Sequence, residues 1–228
     1  MEQRTAIVTG GSRGLGLALV QALSATGWSV VTDGRDGAAL QAAVDGLPGV
    51  TAIPGDVTDP AHRDALVAAA AGGVHLIVNN AGGLGPSPLP ALAEYPLGAL
   101  VELFAVNVAA PLGLVQAALA HLRDGAVVVD ITSDASVEAY PGWGGYGATK
   151  AALDHVGRVL AVERPDLRVL SIDPGDMRTQ MHQDAFPGED ISDRPPPGDS
   201  VPGILALIEG DAPSGRYRAA EAPQVVAP

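Results

Sequence analysis

The sequence of 228 residues contains no cysteine. Disulfides, thiolate metal sites and a cysteine nucleophile are therefore excluded. Aromatic residues make up only 4%, so any core must be filled by Ala, Val, Leu and Ile. Histidines number five, at positions 62, 75, 121, 155 and 182, and none has H-x-x-x-H spacing, so no metal site is expected. Positive charge is scarce: 13 Lys and Arg against 26 Asp and Glu leave a formal net charge of −13. That balance argues against nucleic acid or an anionic membrane as a general partner, while leaving room for a local basic pocket. No apolar run reads as a membrane span, and a first strand at about Thr5 leaves no room for a signal peptide. A soluble, cytoplasmic protein is the expectation.

Hydrophobic residues supply 47% of the chain, enough for a core, and 29 glycines with 19 prolines imply many tight turns. The length suits one α/β domain over residues 1–228. Short apolar runs at 5–9, 29–32, 50–53, 74–78, 126–131 and 168–172 read as buried strands, with a last weak strand at 214–219. Helical spacing fills the gaps: a helix opening at Leu15, then 37–48, 60–71, a long apolar helix at 97–121 interrupted near Pro111, then 146–163 and 200–209. Asp59 is a plausible N-cap with Pro60 at the first helical position. Residues 182–200 are acidic and Pro-rich, and 180–200 is expected to be an irregular, mobile loop over a substrate site. Strands alternating with helices predict a doubly wound parallel sheet in a three-layer αβα arrangement, a Rossmann-type single domain.

The chemistry falls at the carboxyl ends of these strands, where open α/β sheets bind ligands. After the first strand come Gly10-Gly11-Ser12-Arg13-Gly14-Leu15-Gly16. Glycines there let backbone N–H groups approach a pyrophosphate at a helix amino terminus. The second strand ends in Asp33-Gly34-Arg35. An acidic residue at this point accepts from a ribose 2′-hydroxyl, whereas a guanidinium suits a 2′-phosphate. The usual acidic position falls on Gly34, and Arg13 with Arg35 favours NADP(H) over NAD(H). Asp33 complicates the choice, since its carboxylate could bond a ribose or repel a phosphate. Asp56, beside Val57, could accept from an adenine amino group or serve only its turn. Asn79-Asn80-Ala81-Gly82 ends the fourth strand and could border a cofactor. Asn107 is an amide inside an apolar helix and needs partners; it either packs against backbone or holds a water. Ser133 ends the fifth strand. Tyr146 and Lys150, at i and i+4, share a helix face, and an ammonium near a phenol lowers its pKa. Asp173-Pro174-Gly175 and Thr179 leave the sixth strand.

Taken in order, Thr9-Gly10-x-x-x-Gly14-x-Gly16, Asp56, Asn79-Asn80-Ala81-Gly82, Asn107, Ser133, Tyr146-x-x-x-Lys150 and Pro174-Gly175 with Thr179 resemble the short-chain dehydrogenase/reductase family over roughly residues 5–180. The resemblance implies a catalytic set. Tyr146 would be general acid or base, Lys150 would hold the nicotinamide ribose and depress the Tyr146 pKa, Ser133 would orient the substrate oxygen, and Asn107 would anchor a relay water. It further implies that Gly10, Ser12, Arg13, Gly14, Leu15 and Gly16 line the pyrophosphate. Asp33, Gly34, Arg35, Asp56 and Val57 would lie at the adenosine half, with Asn80, Ala81, Gly82, Ile172, Pro174, Gly175 and Thr179 around the nicotinamide half.

The expected activity is hydride transfer between a nicotinamide and a carbonyl or secondary alcohol. Some of Tyr140, Trp143, Met177, Met181 and Phe186 would wall a mainly apolar substrate. A homodimer or homotetramer built on the helices at 97–121 and 146–163 is expected. The alternatives are a non-catalytic dinucleotide-binding regulator on the same fold, or an epimerase or dehydratase with no net cofactor consumption. The carboxyl end departs from the family pattern: Gly215-Arg216-Tyr217-Arg218-Ala219 runs into Ala-Glu-Ala-Pro-Gln. That departure is expected to affect substrate pocket and assembly but not the catalytic set.

Overall fold

A computed structural model describes residues 3–70 and 72–222, so Pro223 and Gln224 of that carboxyl end lie outside the described residues. Seven strands are described: β1 (Thr5–Val8), β2 (Ser29–Gly34), β3 (Val50–Pro54), β4 (Val74–Asn79), β5 (Leu122–Ile131), β6 (Arg168–Asp173) and β7 (Gly215–Arg218). All pair in parallel, in the order β3-β2-β1-β4-β5-β6-β7. The order reverses between β1 and β4, and this switch point opens a crevice at the carboxyl ends of the strands.

Side chains alternate across a strand, and here both faces are covered. Ala6 and Val8, Leu76 and Val78, Val127 and Val129, and Leu170 and Ile172 enter one core with Leu15, Leu19, Leu23, Ile204 and Leu207. Ile7, Ile77, Val128 and Val169 enter the other with Leu66, Leu114 and Val115. The first core is closed by α1 (Gly14–Ala25) and, later in the chain, α8 (Val201–Glu209). The second takes α3 (Pro60–Ala69) and α5 (Ala110–Ala118). Burial on both faces is why the strands read as continuous apolar runs.

Several element boundaries differ from expectation for local reasons. The second helix, α2 (Gly37–Val44), stops early because Asp45 is extended and Gly46 has φ +75°. β5 begins at Leu122 rather than 126. Its first residues include Gly125 at φ +73° and pair with β4 through a register irregularity. The long apolar helix is α4 (Leu97–Phe104), a π turn (Ala105–Ala109) and α5. Its irregularity thus lies one turn before Pro111. A proline has no N–H for the carbonyl four residues back, here that of Asn107, and its ring crowds that carbonyl. α6 (Gly144–Glu163) starts two residues early, and the segment expected to be irregular begins with a helix, α7 (Gln180–Ala185), capped by Thr179.

By length and composition, Leu97–His121 could cross a membrane, contrary to the sequence expectation that no segment could. Near its middle is Asn107, fully buried and bonded to Gly83 and to Thr149 of α6, so within this fold the segment is a layer of the domain. On the outer faces of α4 and α6, Leu97, Val101, Val159 and Val162 are exposed.

Candidate active site

A cleft of about 960 Å³ runs along the carboxyl ends of the strands. Of the cofactor and catalytic candidates, Asn79, Asn107 and Ile172 do not border it, and Ile172 lies in the core; the others line it.

The nucleotide end is made by backbone. Gly10, at φ +73°, turns the chain out of β1 into α1. Gly16 sits so close to this turn that a Cβ would stand 2.3 Å from the Gly10 carbonyl oxygen and 2.4 Å from Asn80 Nδ2. The amide of Asn80 donates to the carbonyls of Thr9 and Gly10, at 2.9 and 3.3 Å, and Thr9 Oγ1 accepts from the N–H groups of Asn80 and Ala81. β1 and β4 are thereby locked at the switch point. Asp36 caps α2 and Asp59 caps α3, but the N-cap of α1 is Arg13, without a side-chain cap bond and with no acidic residue in the first turn. An uncapped helix start at a glycine turn fits a dinucleotide pyrophosphate.

Arg13 and Arg35 are exposed and border the cleft, and Gly34 places its Cα against Ser12. Asp33 is not available to a ribose. Only 1% exposed, it accepts from the Gly10 N–H at 2.6 Å through Oδ1 and faces His62 Nε2 at 3.0 Å through Oδ2. Burial raises its pKa, against the Gly10 and His62 hydrogen bonds. His62 was not singled out by the sequence, because nothing local links α3 to the end of β2. Asp56 Oδ1 is held in its own turn by the N–H and hydroxyl of Thr58.

The other end is built by β5 and α6. Ser133 follows β5 and caps a short helical turn (Asp134–Ser136). Its Oγ accepts from the Ala135 N–H and donates to Asp134 Oδ1 at 2.9 Å. Tyr146 and Lys150 stand one turn apart on α6, with Ser133 near enough to the Tyr146 hydroxyl to bear on its pKa. Lys150 Nζ donates to the Ile131 carbonyl at 2.8 Å and lies 5.6 Å from the Tyr146 ring centre. The expected depression of the Tyr146 pKa is not what this geometry gives. Burial raises it, Asp134 and Asp173 raise it further, and only Ser133 pulls it down. Burial also brings Lys150 down to about 8, against the charges of Asp130 and Asp154. Asp130, held by Asn79 Nδ2 at 2.8 Å, is pushed up to about 6 by its burial.

Asn107 proves to be a clamp. Its Oδ1 accepts from the Gly83 N–H, and its Nδ2 donates to the Gly83 carbonyl and to Thr149 Oγ1. Both amide hydrogens are engaged, while Oδ1 keeps one acceptor lone pair.

At the substrate side, Trp143, Met181 and Phe186 pack with Leu84, Leu89 and Tyr146 in a small apolar cluster. Trp143 meets Tyr146 edge-on at 5.7 Å and Phe186 at 6.0 Å. Met177 borders the cleft and also packs against the main core, and the Tyr140 hydroxyl is tied to Asp134 and Glu138. The expectation that the carboxyl end leaves the catalytic set alone is also corrected: Arg216 of β7 donates to the backbone carbonyl of Ser133 at 2.9 Å.

The sequence model of the short chain dehydrogenase family matches residues 4–190. The chain belongs to the short-chain dehydrogenase/reductase family. Its members are nicotinamide-dependent oxidoreductases acting on small molecules. Among curated relatives, the short chain dehydrogenase asqE of Emericella nidulans is 37% identical over 72% of this chain and 65% of its own length. The benzil reductase ((S)-benzoin forming) of Saccharomyces cerevisiae is 34% identical over 78% of this chain and 73% of its own. An Escherichia coli short chain dehydrogenase solved with NADPH superposes with a TM-score of 0.88 at 28% identity, covering 96% of this chain and 97% of that one.

Proposed function

We propose that the protein is an NADPH-preferring oxidoreductase that reduces a carbonyl group, or in reverse oxidises a secondary alcohol, with Tyr146 passing the proton. The observation that carries this reading is the convergence of Ser133, Tyr146 and Lys150 at the end of β5, in the same cleft as the uncapped start of α1. A bound nicotinamide supplies the hydride; the chain supplies position and proton. Ser133 Oγ turns from Asp134 to the substrate oxygen and orients it. The Tyr146 hydroxyl gives its proton to that oxygen as the alcohol forms. Burial keeps Tyr146 protonated at neutral pH, the form a donor requires, so its resting charge state favours reduction. Lys150, brought to about 8, is able to exchange protons near neutrality and to hold the ribose hydroxyls.

Arg13 at the start of α1 and Arg35 after β2, both exposed, support the choice of NADPH, as does the withdrawal of the Asp33 carboxylate towards His62. The apolar cluster of Trp143, Met181 and Phe186 supports an apolar or aryl ketone, in keeping with a relative named for benzil reduction.

The test is NADPH oxidation with a panel of aryl and alkyl ketones, run on wild type and Tyr146→Phe. Turnover of at least one ketone is expected, falling on the order of 10³-fold in the variant with NADPH affinity retained. Full turnover by Tyr146→Phe would remove the proton role. Tight NADPH binding without reduction of any ketone would favour a dinucleotide-binding regulator.

A further inference from the structure

The last strand, β7, lies beyond the residues matched by the family model. It pairs with β6 so that Arg216 stands opposite Ser171. From there one guanidinium joins three elements. Nη2 donates to the Ser133 carbonyl at 2.9 Å and reaches Asp173 Oδ2, at the end of β6, at 3.4 Å. Nε donates to Asp154 Oδ2 on α6 at 3.2 Å. The same Asp154 oxygen accepts from Ser136 Oγ at 2.6 Å, so the turn following Ser133 is held to α6 from both sides. The side chains of Asp154 and Asp173 are only 8% and 6% exposed, and Asp154 Oδ1 has no partner among the described residues. Two buried carboxylates thus share this cation. Breaking such a pair by removing one member leaves an uncompensated buried charge. Arg218 offers a contrast: it is half-exposed and reaches Glu138, Glu221 and Asp173 only at 3.4 to 3.9 Å, which is worth little in water.

We propose that Arg216 is a positioning residue for Ser133: it fixes the Ser133 carbonyl against Asp154 of α6 and so sets the Ser133 hydroxyl relative to the Tyr146 hydroxyl. The inference rests on the reading of these two residues as the substrate-oxygen pair. The planar fork is essential, because a lysine presents one point charge and cannot hold the carbonyl and both carboxylates together.

A second consequence concerns Tyr146. The charged groups facing it are Asp134 from the Ser133 turn, Asp173 from β6 and Lys150 from its own helix, with Asp130 and Asp154 behind Lys150. Arg216 is the nearer of two cations on Asp173, with Arg218 at 3.9 Å, so its loss leaves Tyr146 facing a less compensated carboxylate.

The experiment compares wild type, Arg216→Ala, Arg216→Lys and Tyr146→Phe. The readouts are kcat and KM with NADPH and a panel ketone, and thermal melting. For Arg216→Ala, kcat falls on the order of tenfold to a hundredfold, as for a small misplacement of a reacting group. Its NADPH KM stays within about twofold, and millimolar guanidinium restores part of kcat. Arg216→Lys keeps the melting near wild type yet loses kcat. An Arg216→Ala enzyme with wild-type kcat overturns the proposal. So does one in which kcat and melting fall and NADPH KM rises together, with no rescue by guanidinium. If Arg216→Ala does not fold, Arg216→Lys decides, and wild-type kcat there overturns the role of the fork. Tyr146→Phe separates the two levels. If it is inactive while Arg216→Ala is normal, only this inference fails; if it is active, the site reading itself fails.

Discussion

The two ends of the cleft solve opposite physical problems. At the nucleotide end the surface offered to a ligand is backbone and open space: a turn at Gly10, a helix start without a cap, and two exposed arginines. At the proton-transfer end the groups are buried and charged, with Lys150, Asp130, Asp154 and Asp173 all under about a tenth exposed. The first end needs room and unsatisfied N–H groups, so what matters there is the absence of side chains. The second needs charges kept out of water, and each must be compensated by another, because desolvation disfavours every charged form. A substitution at the first end should therefore act on binding, and one at the second on proton affinity and rate.

The sharpest way to break that contrast is Gly16→Val. Any Cβ there meets the Gly10 carbonyl oxygen at 2.3 Å, and the Gly10 backbone has no free direction in which to retreat while Asn80 holds it. Loss of NADPH affinity by at least about a hundredfold is expected, measured by fluorescence titration, from the lost seat for the pyrophosphate. Wild-type affinity would mean that the turn is not where the dinucleotide sits. Smaller in size is Arg35→Ala. Removing one exposed charge-assisted contact should lower kcat/KM for NADPH about tenfold and leave NADH nearly unchanged. An equal loss with both cofactors would show that Arg35 does not distinguish them. A native preference for NADH would return attention to Asp33.

Much of the fold and of the nucleotide end could be read from sequence, and the contrast between the two ends explains why. Strands buried on both faces are apolar runs, and the glycine turn is contiguous over 10–16, so local pattern and local function coincide. Local pattern fails where a neighbour decides. Residues 123–125 of β5 are Arg-Asp-Gly, polar and turned at Gly125, yet the strand starts before them, with Leu122 opposite Val74 of β4. α7 forms inside an acidic, Pro-rich stretch because Thr179 caps it. Of the proposed proton-transfer end, Asn107, Ser133, Tyr146 and Lys150 were singled out by sequence reading. The charges behind them were not, because a buried charge is explained only by its partner. Arg216 lies 83 residues from Ser133 in the chain. A separation of 29 residues likewise hid His62, whose contact with Asp33 alters the meaning of the end of β2.

The smallest expected effect tests whether burial governs charge at the second end. Asp130 has a folded pKa of about 6 against an ordinary 3.8, with burial as the main cause. A carboxyl whose pKa is raised by folding binds its proton more tightly in the native state. Its favourable contribution is complete below about pH 4 and is lost as pH rises through about 6. Lys150 runs the other way on a separate range: lowered from 10.5 to about 8, it holds stability back below pH 8 and releases it as pH rises from there to the unfolded value. The two windows do not overlap, so melting curves can separate them. Asp130→Asn cannot ionise, and its melting temperature relative to wild type should climb between pH 4 and pH 7, by about 2 °C or more for a chain of this size. Above pH 7 the gain should stop growing, since wild-type Asp130 is by then ionised. A difference that stays flat from pH 4 to 7 would mean that the Asn79 hydrogen bond and the Lys150 charge already compensate Asp130 fully. The proton-transfer end would then be as well satisfied as the nucleotide end is open.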